Sequence, residues 1–230
     1  MPQDIFSHSI LKYLVDEGPK GMDEPAKLPP LGDLARELGV SRGKLREDLI
    51  TAQAYGLVEM RPGDGTYVCP FDFYAAIRPA VLYSIACDKQ NFDRFYQVRA
   101  RLEIVFWDQA VSELDQTDYE ALDRILEQAE RKLSGMPIEI PHDEHRDLHL
   151  RIFSRLDNTF VQGLLSAYWD AYEAVELHRY FELSYYERMW SSHRELVALL
   201  KEGRYQEGKE TLVRHFRILE DRLQNKSAVA

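Results

Sequence analysis

The stretch LARELGVSRGKLREDL, residues 34–49, decides the fold of the N-terminal third of the chain. Apolar residues recur at helical spacing on both sides of Gly39, which predicts one helix over 31–38 and another over 42–55. Gly39 supplies the turn between them, and Ser41 is a residue type that caps helix N-termini. The second helix begins with exposed cations, which are Arg42, Lys44 and Arg46. The stretch therefore predicts two helices joined by a tight turn, the second with a basic start.

The residues on either side complete a larger pattern. A further helix is predicted over 6–17, and strands over 57–61 and 66–68 flank a Pro-Gly-Asp-Gly turn that favours a hairpin. Helix, turn, helix and hairpin in this order are typical of a winged helix-turn-helix, whose second helix enters the DNA major groove. The candidate DNA-binding residues are Ser41, Arg42, Lys44, Arg46, Arg61, Gly63, Gly65 and Thr66. A merely solvated basic face is the alternative, and the surrounding pattern favours DNA binding.

The charge balance restricts how DNA could be bound. The chain has a net charge of −10, with 8 Lys/Arg against 11 Asp/Glu in residues 1–70 and 21 against 28 in residues 71–230. DNA affinity depends on neutralising phosphates, so a DNA-binding face in such a chain must be local. Two such faces in a dimer would compensate for the acidic background.

The sequence also predicts a cytoplasmic protein without membrane association. No apolar run approaches the roughly 20 residues that cross a bilayer. The start, Met-Pro-Gln-Asp, lacks the basic and apolar segments of a signal peptide. Cys69 and Cys87 are isolated thiols, which fit a reducing compartment.

From residue 71 onward the pattern is helical. The predicted helices span about 71–88, 91–114, 117–135, 141–157, 159–182, 184–202 and 204–225. Residues 117–120 read as a capping box at the start of the third of these helices. The fold class is therefore mostly α: a winged helix-turn-helix over 1–70, then an antiparallel bundle of six to seven helices over 71–225. Residues 226–230 are predicted to be a frayed tail.

Four histidines are predicted to face the interior of this bundle. His145 and His149 are four residues apart, so they share a helix face with apolar neighbours. His193 and His215 also lie at helical spacing from leucines. Neutral imidazoles converging from several helices are typical of transition-metal sites in bundle cores. The alternative is four ordinary core histidines, each hydrogen-bonded to backbone or a carboxylate.

The N-terminal residues closely resemble the GntR family of regulators. The resemblance is carried by Leu28-Pro29, Leu34-Ala35-x-x-Leu38-Gly39-Val40-Ser41-Arg42, Leu45-Arg46-Glu47-x-Leu49, Gly56-Leu57-Val58 and Arg61-Pro62-Gly63-x-Gly65-Thr66. It implies that Arg42 and Arg46 reach phosphates or bases, with Lys44 among them, and that the wing glycines let the backbone approach DNA. Such proteins usually carry a DNA-contacting arginine at the position of Gly32. The resemblance thus implies DNA binding without implying the family's usual operator.

The helical region, from about 75 to 223, resembles the FCD effector domain of the FadR-type branch. The resemblance is carried by Arg99-x-x-x-Glu103, Leu148-His149 followed by Asn158, and His193 with His215 22 residues later. Many members bind a divalent metal through one Asp and three His, and the metal helps to hold a small carboxylate effector. His149, His193 and His215 match three of these ligands, and His145 stands at the position of the Asp.

The ligand set leaves alternatives open. Four imidazoles would favour zinc or nickel over manganese. A site of three imidazoles completed by water or effector is the alternative if His145 does not bind. Asp143 and Asp147 are predicted to lie off the face of His149. Arg99 and Glu103 are either a helix ion pair or effector-binding residues, since the guanidinium fork suits a carboxylate.

The combined expectation is a ligand-responsive transcription regulator and not an enzyme. It would bind palindromic operator DNA as a homodimer, with an effector-binding and dimerisation domain over 71–225. One alternative keeps this architecture but senses an acyl or other apolar ligand without metal. A remote alternative is a metal-dependent enzyme with Glu103 as general base, although no His-Glu-x-x-His pattern is present.

Overall fold

A computed structural model of the chain describes residues 9–16, 26–175 and 182–227. Its contacts divide the chain into two compact units, Met1–Ala80 and Val81–Ala230. Within the described residues, none of the helices combines the length and the apolar character needed to cross a bilayer.

The first unit has the predicted three helices and hairpin. The helices are α1 (Ser9–Asp16), α2 (Leu31–Glu37) and α3 (Arg42–Ala54), and the hairpin strands are β2 (Val58–Arg61) and β3 (Gly65–Val68). The Ser41 hydroxyl caps α3 by accepting a hydrogen bond from the Lys44 backbone N–H at 3.1 Å. A small apolar core joins these elements, formed by Ile10, Leu28, Leu34, Ala35, Leu45, Leu49, Ala52 and Val58. The predicted winged helix-turn-helix is confirmed.

One strand of the winged helix-turn-helix, which is called the head below, was not predicted. Strand β1 (Ala26–Lys27) pairs antiparallel with β3, so the sheet order is β1-β3-β2. Two residues cannot show the alternation by which strands are recognised in a sequence. The strand also places the Lys27 ammonium 2.8 Å from the Asp64 carboxylate at the tip of the hairpin.

Helix α4 (Phe73–Cys87) explains why the first unit extends ten residues beyond the predicted boundary at 70. Its first turn packs against the head at Gly56, where an added Cβ would lie 2.6 Å from the Cβ of Ala75. Gly56 also has a φ of 71°, which glycine adopts at little cost. Only glycine fits both the close approach and this conformation.

The second unit is all-helical in its described part, and with α4 it has the seven helices that the sequence predicts. They continue as α5 (Gln90–Ser112), α6 (Gln116–Ser134), α7 (His142–Ile152), α8 (Thr159–Ala174), α9 (Leu183–Lys201) and α10 (Tyr205–Ser227). Helices α5, α7, α9 and α10 each pack against at least one other helix of this set. The core is dominated by large aromatic side chains, among them Tyr96, Trp107, Tyr168, Trp169, Tyr172, Tyr186 and Trp190.

Two predicted helix ends are wrong. Helix α7 ends at Ile152 and not near 157: beyond it the backbone N–H groups of Ser154 and Leu156 donate to carbonyls only three residues back, those of Arg151 and Phe153. Asn158 then caps α8 by accepting from two backbone N–H groups. Helix α8 ends at Ala174 and not at 182; residues 176–181 lie outside the described part.

Two further corrections concern caps and tail. The capping box of α6 begins at Asp115, not Thr117, and its reciprocal partner is Asp118. The Asp115 carboxylate accepts hydrogen bonds from the backbone N–H groups of Thr117 and Asp118, and the Asp118 carboxylate accepts one from the backbone N–H of Asp115. Residues 226 and 227, predicted to fray, continue α10, and 228–230 lie outside the described part.

Candidate functional site

The four predicted interior histidines converge. Their ring nitrogens can be chosen so that one from each lies within 4.8 Å of all the others, and all four side chains are buried. The residues are His145 and His149 of α7, His193 of α9 and His215 of α10. Neighbouring rings are in close contact, with 4.3 Å between the centroids of His193 and His215. Asp143 and Asp147 are exposed and lie off this face, as the spacing predicts.

The spacing of two nitrogens fits a metal ion. The Nε2 atoms of His149 and His193 are 3.2 Å apart. Two nitrogens that each bind a tetrahedral ion at about 2.0–2.1 Å would lie roughly 3.3 Å apart. The Nε2 atom of His145 is buried and has no hydrogen-bond partner among the described residues. The donor set is therefore suited to a transition metal such as zinc or nickel.

Helix α5 supplies an ion pair that contacts the histidine cluster through His149. Arg99 Nε lies 2.5 Å from Glu103 Oε1, and both side chains are almost fully buried. The second carboxylate oxygen of Glu103 lies 2.9 Å from His149 Nδ1. A carboxylate only accepts hydrogen bonds, so Nδ1 of His149 carries the proton and its Nε2 lone pair is left free toward His193. The predicted helix ion pair forms, and in addition it orients a candidate ligand.

The link between Glu103 and His149 was missed in the sequence. The two residues are 46 positions apart on different helices, and no local pattern relates them. The sequence indicated only that each residue lies on the buried face of its own helix, and this does not identify the two as partners.

The surroundings of the four histidines keep their imidazoles neutral, which is the protonation state that binds a metal ion. Burial lowers the pKa of all four histidines, and for His145, His193 and His215 neighbouring imidazoles or Arg99 lower it further. Burial also raises the pKa of Glu103, but Arg99 and then His149 outweigh this and hold the pKa below its usual value. The imidazoles are therefore neutral and Glu103 is ionised at neutral pH.

We expect the metal-free protein to lose stability as the pH falls below about 6.5, the ordinary histidine pKa. The folded-state pKa values are lowered, so between them and 6.5 the unfolded chain binds protons that the folded chain does not. Each such histidine lowers the free energy of unfolding by up to about 1.4 kcal/mol per pH unit in that window. Urea unfolding with a chelator at pH 7.5 and 5.5 measures the slope. The variant His193→Leu should have a shallower slope, and an equal slope would contradict the assignment.

Further buried hydrogen-bond donors surround the histidines. Arg99 Nη2 and the indole N–H groups of Trp169 and Trp190 have no acceptor among the described residues. The Trp169 ring lies 4.7 Å from that of His145, and Arg99 Cζ lies 4.9 Å from the Trp169 ring. Burial raises the pKa of Tyr168 to about 12, although the positive charge of Arg99 acts in the opposite direction. The interior is therefore rich in donors that lack acceptors.

In the head, a groove of about 990 Å³ between α3 and the hairpin brings together part of the predicted DNA-binding set. Its lining includes Arg46, Arg61, Gly63, Gly65 and Thr66. Ser41, Arg42 and Lys44 lie outside this groove, at the start of α3. Gly63 has a φ of 76°, as the tight hairpin requires.

The basic residues of the head differ in whether they already form an ion pair within the protein. Lys44 pairs with Asp48 at 2.8 Å, and Arg61 pairs with Glu59 at 2.7 Å and lies over the Tyr67 ring. For Arg42 and Arg46 no ion pair is found with any described residue. With respect to the described part of the chain, these two guanidinium groups would not have to give up an ion-pair partner to reach DNA.

The position of Gly32 is filled by another residue's side chain. A Cβ built on Gly32 would lie 2.9 Å from Arg42 Nη2 and 3.3 Å from its Cζ. The guanidinium of Arg42 thus lies over the backbone of Gly32, at the place where a side chain of residue 32 would begin.

Comparison with solved structures shows a shared fold. The chain superposes on a GntR protein of Streptococcus agalactiae with a TM-score of 0.63 at 16% identity, over 91% of this chain and 94% of that chain. It superposes on McbR/YncC of Escherichia coli with a TM-score of 0.52 at 19% identity, over 97% and 100%.

Curated relatives extend the likeness over most of the chain. The Uxu operon transcriptional regulator of Escherichia coli (strain K12) is 26% identical over 94% of this chain and 84% of its own length. The regulator LutR of Bacillus subtilis (strain 168) is 23% identical over 85% of this chain and 90% of its own. These relatives are transcription regulators rather than enzymes.

Family matches cover both parts of the chain. Residues 94–218 match the FCD domain, and residues 23–68 match the bacterial regulatory proteins of the gntR family. With an FCD domain over more than half of its length and this head before it, the chain belongs to the FCD-containing regulators of the gntR family and is a ligand-responsive transcription regulator.

Proposed function

We propose that this regulator binds palindromic operator DNA in the cytoplasm as a homodimer, and that a divalent metal in its helical domain helps to hold a small carboxylate effector. The observation that carries the proposal is the cluster of four buried histidines within 4.8 Å, one of them oriented by Glu103. Three of these imidazoles have a buried ring nitrogen without a hydrogen-bond partner among the described residues, those of His145, His193 and His215, and such atoms are costly to bury unless they bind something.

His149, His193 and His215 would hold the metal, with His145 or an effector oxygen completing the coordination. Zinc or nickel suits this nitrogen-rich set. When bound, the ion supplies a Lewis-acidic position for a carboxylate oxygen. Arg99 still has a free N–H group at Nη2 and would take the effector's negative charge. Effector binding changes DNA affinity to the extent that it favours one of two conformations.

Elemental analysis of gently purified protein tests the metal. We expect about one zinc or nickel ion per chain, since one donor cluster is found among the described residues. Absence of stoichiometric metal, with no uptake of added zinc or nickel, would instead favour an apolar effector bound without metal.

For DNA binding, we expect Arg42→Ala and Arg46→Ala each to weaken binding to a selected operator by about 1–3 kcal/mol. Both guanidinium groups are exposed and make no ion pair with a described residue, so each is available for a phosphate or base edge. Binding is measured by fluorescence anisotropy at several salt concentrations, after the operator has been selected from random DNA.

Arg188→Ala is the matched control, because it removes one exposed positive charge from the helical domain. It should leave operator affinity close to that of the native chain. Equal losses in all three variants would show only a general charge effect and would contradict a role for α3.

A further inference from the structure

The buried carboxylates of the helical domain are already committed. Among the side chains that the structure describes there, they are Glu103, Asp118 and Glu144. Glu103 binds Arg99 and His149, Asp118 binds Arg155 and the Asp115 backbone N–H, and Glu144 binds Lys132. None is left to offset a further positive charge.

A divalent ion held by the four histidines would keep its full charge. The ligands are neutral imidazoles, and the positive charge of Arg99 is balanced by the negative charge of Glu103. A net charge in a buried site is costly unless a counter-ion compensates it. Two negative charges on a ligand would compensate such an ion fully, and one would compensate half of its charge.

The unpaired hydrogen-bond donors of the interior also favour a ligand that carries acceptor oxygens. Arg99 Nη2, Trp169 Nε1 and Trp190 Nε1 are buried donors without acceptors among the described residues. The two indole rings lie beside the cluster: the ring centroids are 5.0 Å apart for Trp190 and His193, and 4.7 Å apart for Trp169 and His145. A ligand with several acceptor oxygens would satisfy them, whereas one with further donors would not.

We infer that this interior selects a dicarboxylate over a monocarboxylate of the same length, and that His145 sets this preference because it adds no negative charge. The inference rests on the proposed metal site. The donors are spread over several residues around Trp169, from the histidines to Arg99, whose Cζ lies 4.9 Å from the Trp169 ring. A dicarboxylate can offer one carboxylate to the ion and the other to Arg99 Nη2, whereas phosphate carries both charges on one centre.

Calorimetry on the full chain loaded with zinc tests the inference, with succinate, butyrate and inorganic phosphate as probes. Succinate and butyrate have the same number of carbons and differ by one carboxylate. We expect succinate to bind about tenfold or more tightly than butyrate, and more tightly than phosphate. Removal of zinc should abolish this ratio. Butyrate or phosphate binding as well as succinate would overturn the inference, as would failure of all three to bind at millimolar concentration.

The variant His145→Asp supplies the missing negative charge within the site. At full zinc loading, its succinate-to-butyrate ratio should fall at least about fivefold below that of the native chain. Gln128→Asp, which adds one negative charge at an exposed position of α6 outside the cluster, is the matched control and should keep the native ratio. An unchanged ratio in a zinc-loaded, folded His145→Asp protein would overturn the role of His145. A native chain that binds no zinc would refute the proposed metal site itself, a result distinct from zinc binding without ligand selectivity.

Discussion

Replacing Glu103 with glutamine is expected to lower the free energy of unfolding by about 3–5 kcal/mol. The change leaves Arg99, a cation 2% exposed, without its carboxylate in the interior of the bundle. It also exchanges the charged partner of His149 for a neutral amide. Urea unfolding at pH 7.5 with a chelator present measures the loss separately from any effect of metal.

Two further variants test whether the loss of stability in Glu103→Gln arises from burial of the unpaired charge. In the double variant Arg99→Met/Glu103→Leu no charge remains unpaired, and much of the lost stability should return. Asp123→Asn breaks the exposed ion pair with Lys201, so it should cost only about 0–1 kcal/mol. A loss below about 1 kcal/mol in Glu103→Gln would mean that solvent reaches the pair and would contradict the arrangement described.

Replacing His193 with alanine is expected to weaken zinc binding by more than about a hundredfold, because loss of an outer-shell partner alone costs 10–100-fold. Its Nε2 atom is 3.2 Å from that of His149, so it lies at the centre of the cluster. Zinc at a thousand times its Kd would stabilise the native chain by about 4 kcal/mol, and the variant should lose this stabilisation. Competition with a chromophoric chelator gives the affinity, and urea unfolding with and without zinc gives the stabilisation.

His142→Ala is the matched control for this experiment. It lies on the same helix as His145 and His149 but outside the group of four. It should keep the zinc affinity of the native chain within a few-fold. Native-like zinc affinity in His193→Ala would mean that the ion, if bound, is held elsewhere.

Features that depend on local spacing could be predicted from the sequence. Gly39, Ser41 and the glycines of the hairpin constrain the backbone where they stand, so the winged helix-turn-helix could be predicted from them. The convergence of the histidines could also be predicted, because each lies on the apolar face of its own helix and a bundle buries those faces together.

Features that depend on distant partners could not be predicted. Strand β1 exists only through its pairing with β3, which is forty residues away in the chain. The bond from Glu103 to His149 joins two helices whose relative register no local pattern specifies. Beyond the early end of α7, the amide of Gln162 from the next helix donates to the carbonyls of Ser154 and Leu156, a contact that no local pattern specifies.

The approach of Arg42 to Gly32 has a consequence for comparing this head with others. Since the guanidinium of Arg42 occupies the space above Gly32, the two positions are energetically coupled although they are ten residues apart. A side chain introduced at 32 would displace Arg42, so its measured effect would combine its own interactions with DNA and the altered position of the guanidinium. Substitutions at 32 and 42 should therefore be measured together as a double-mutant cycle, because the effect of one depends on the residue at the other.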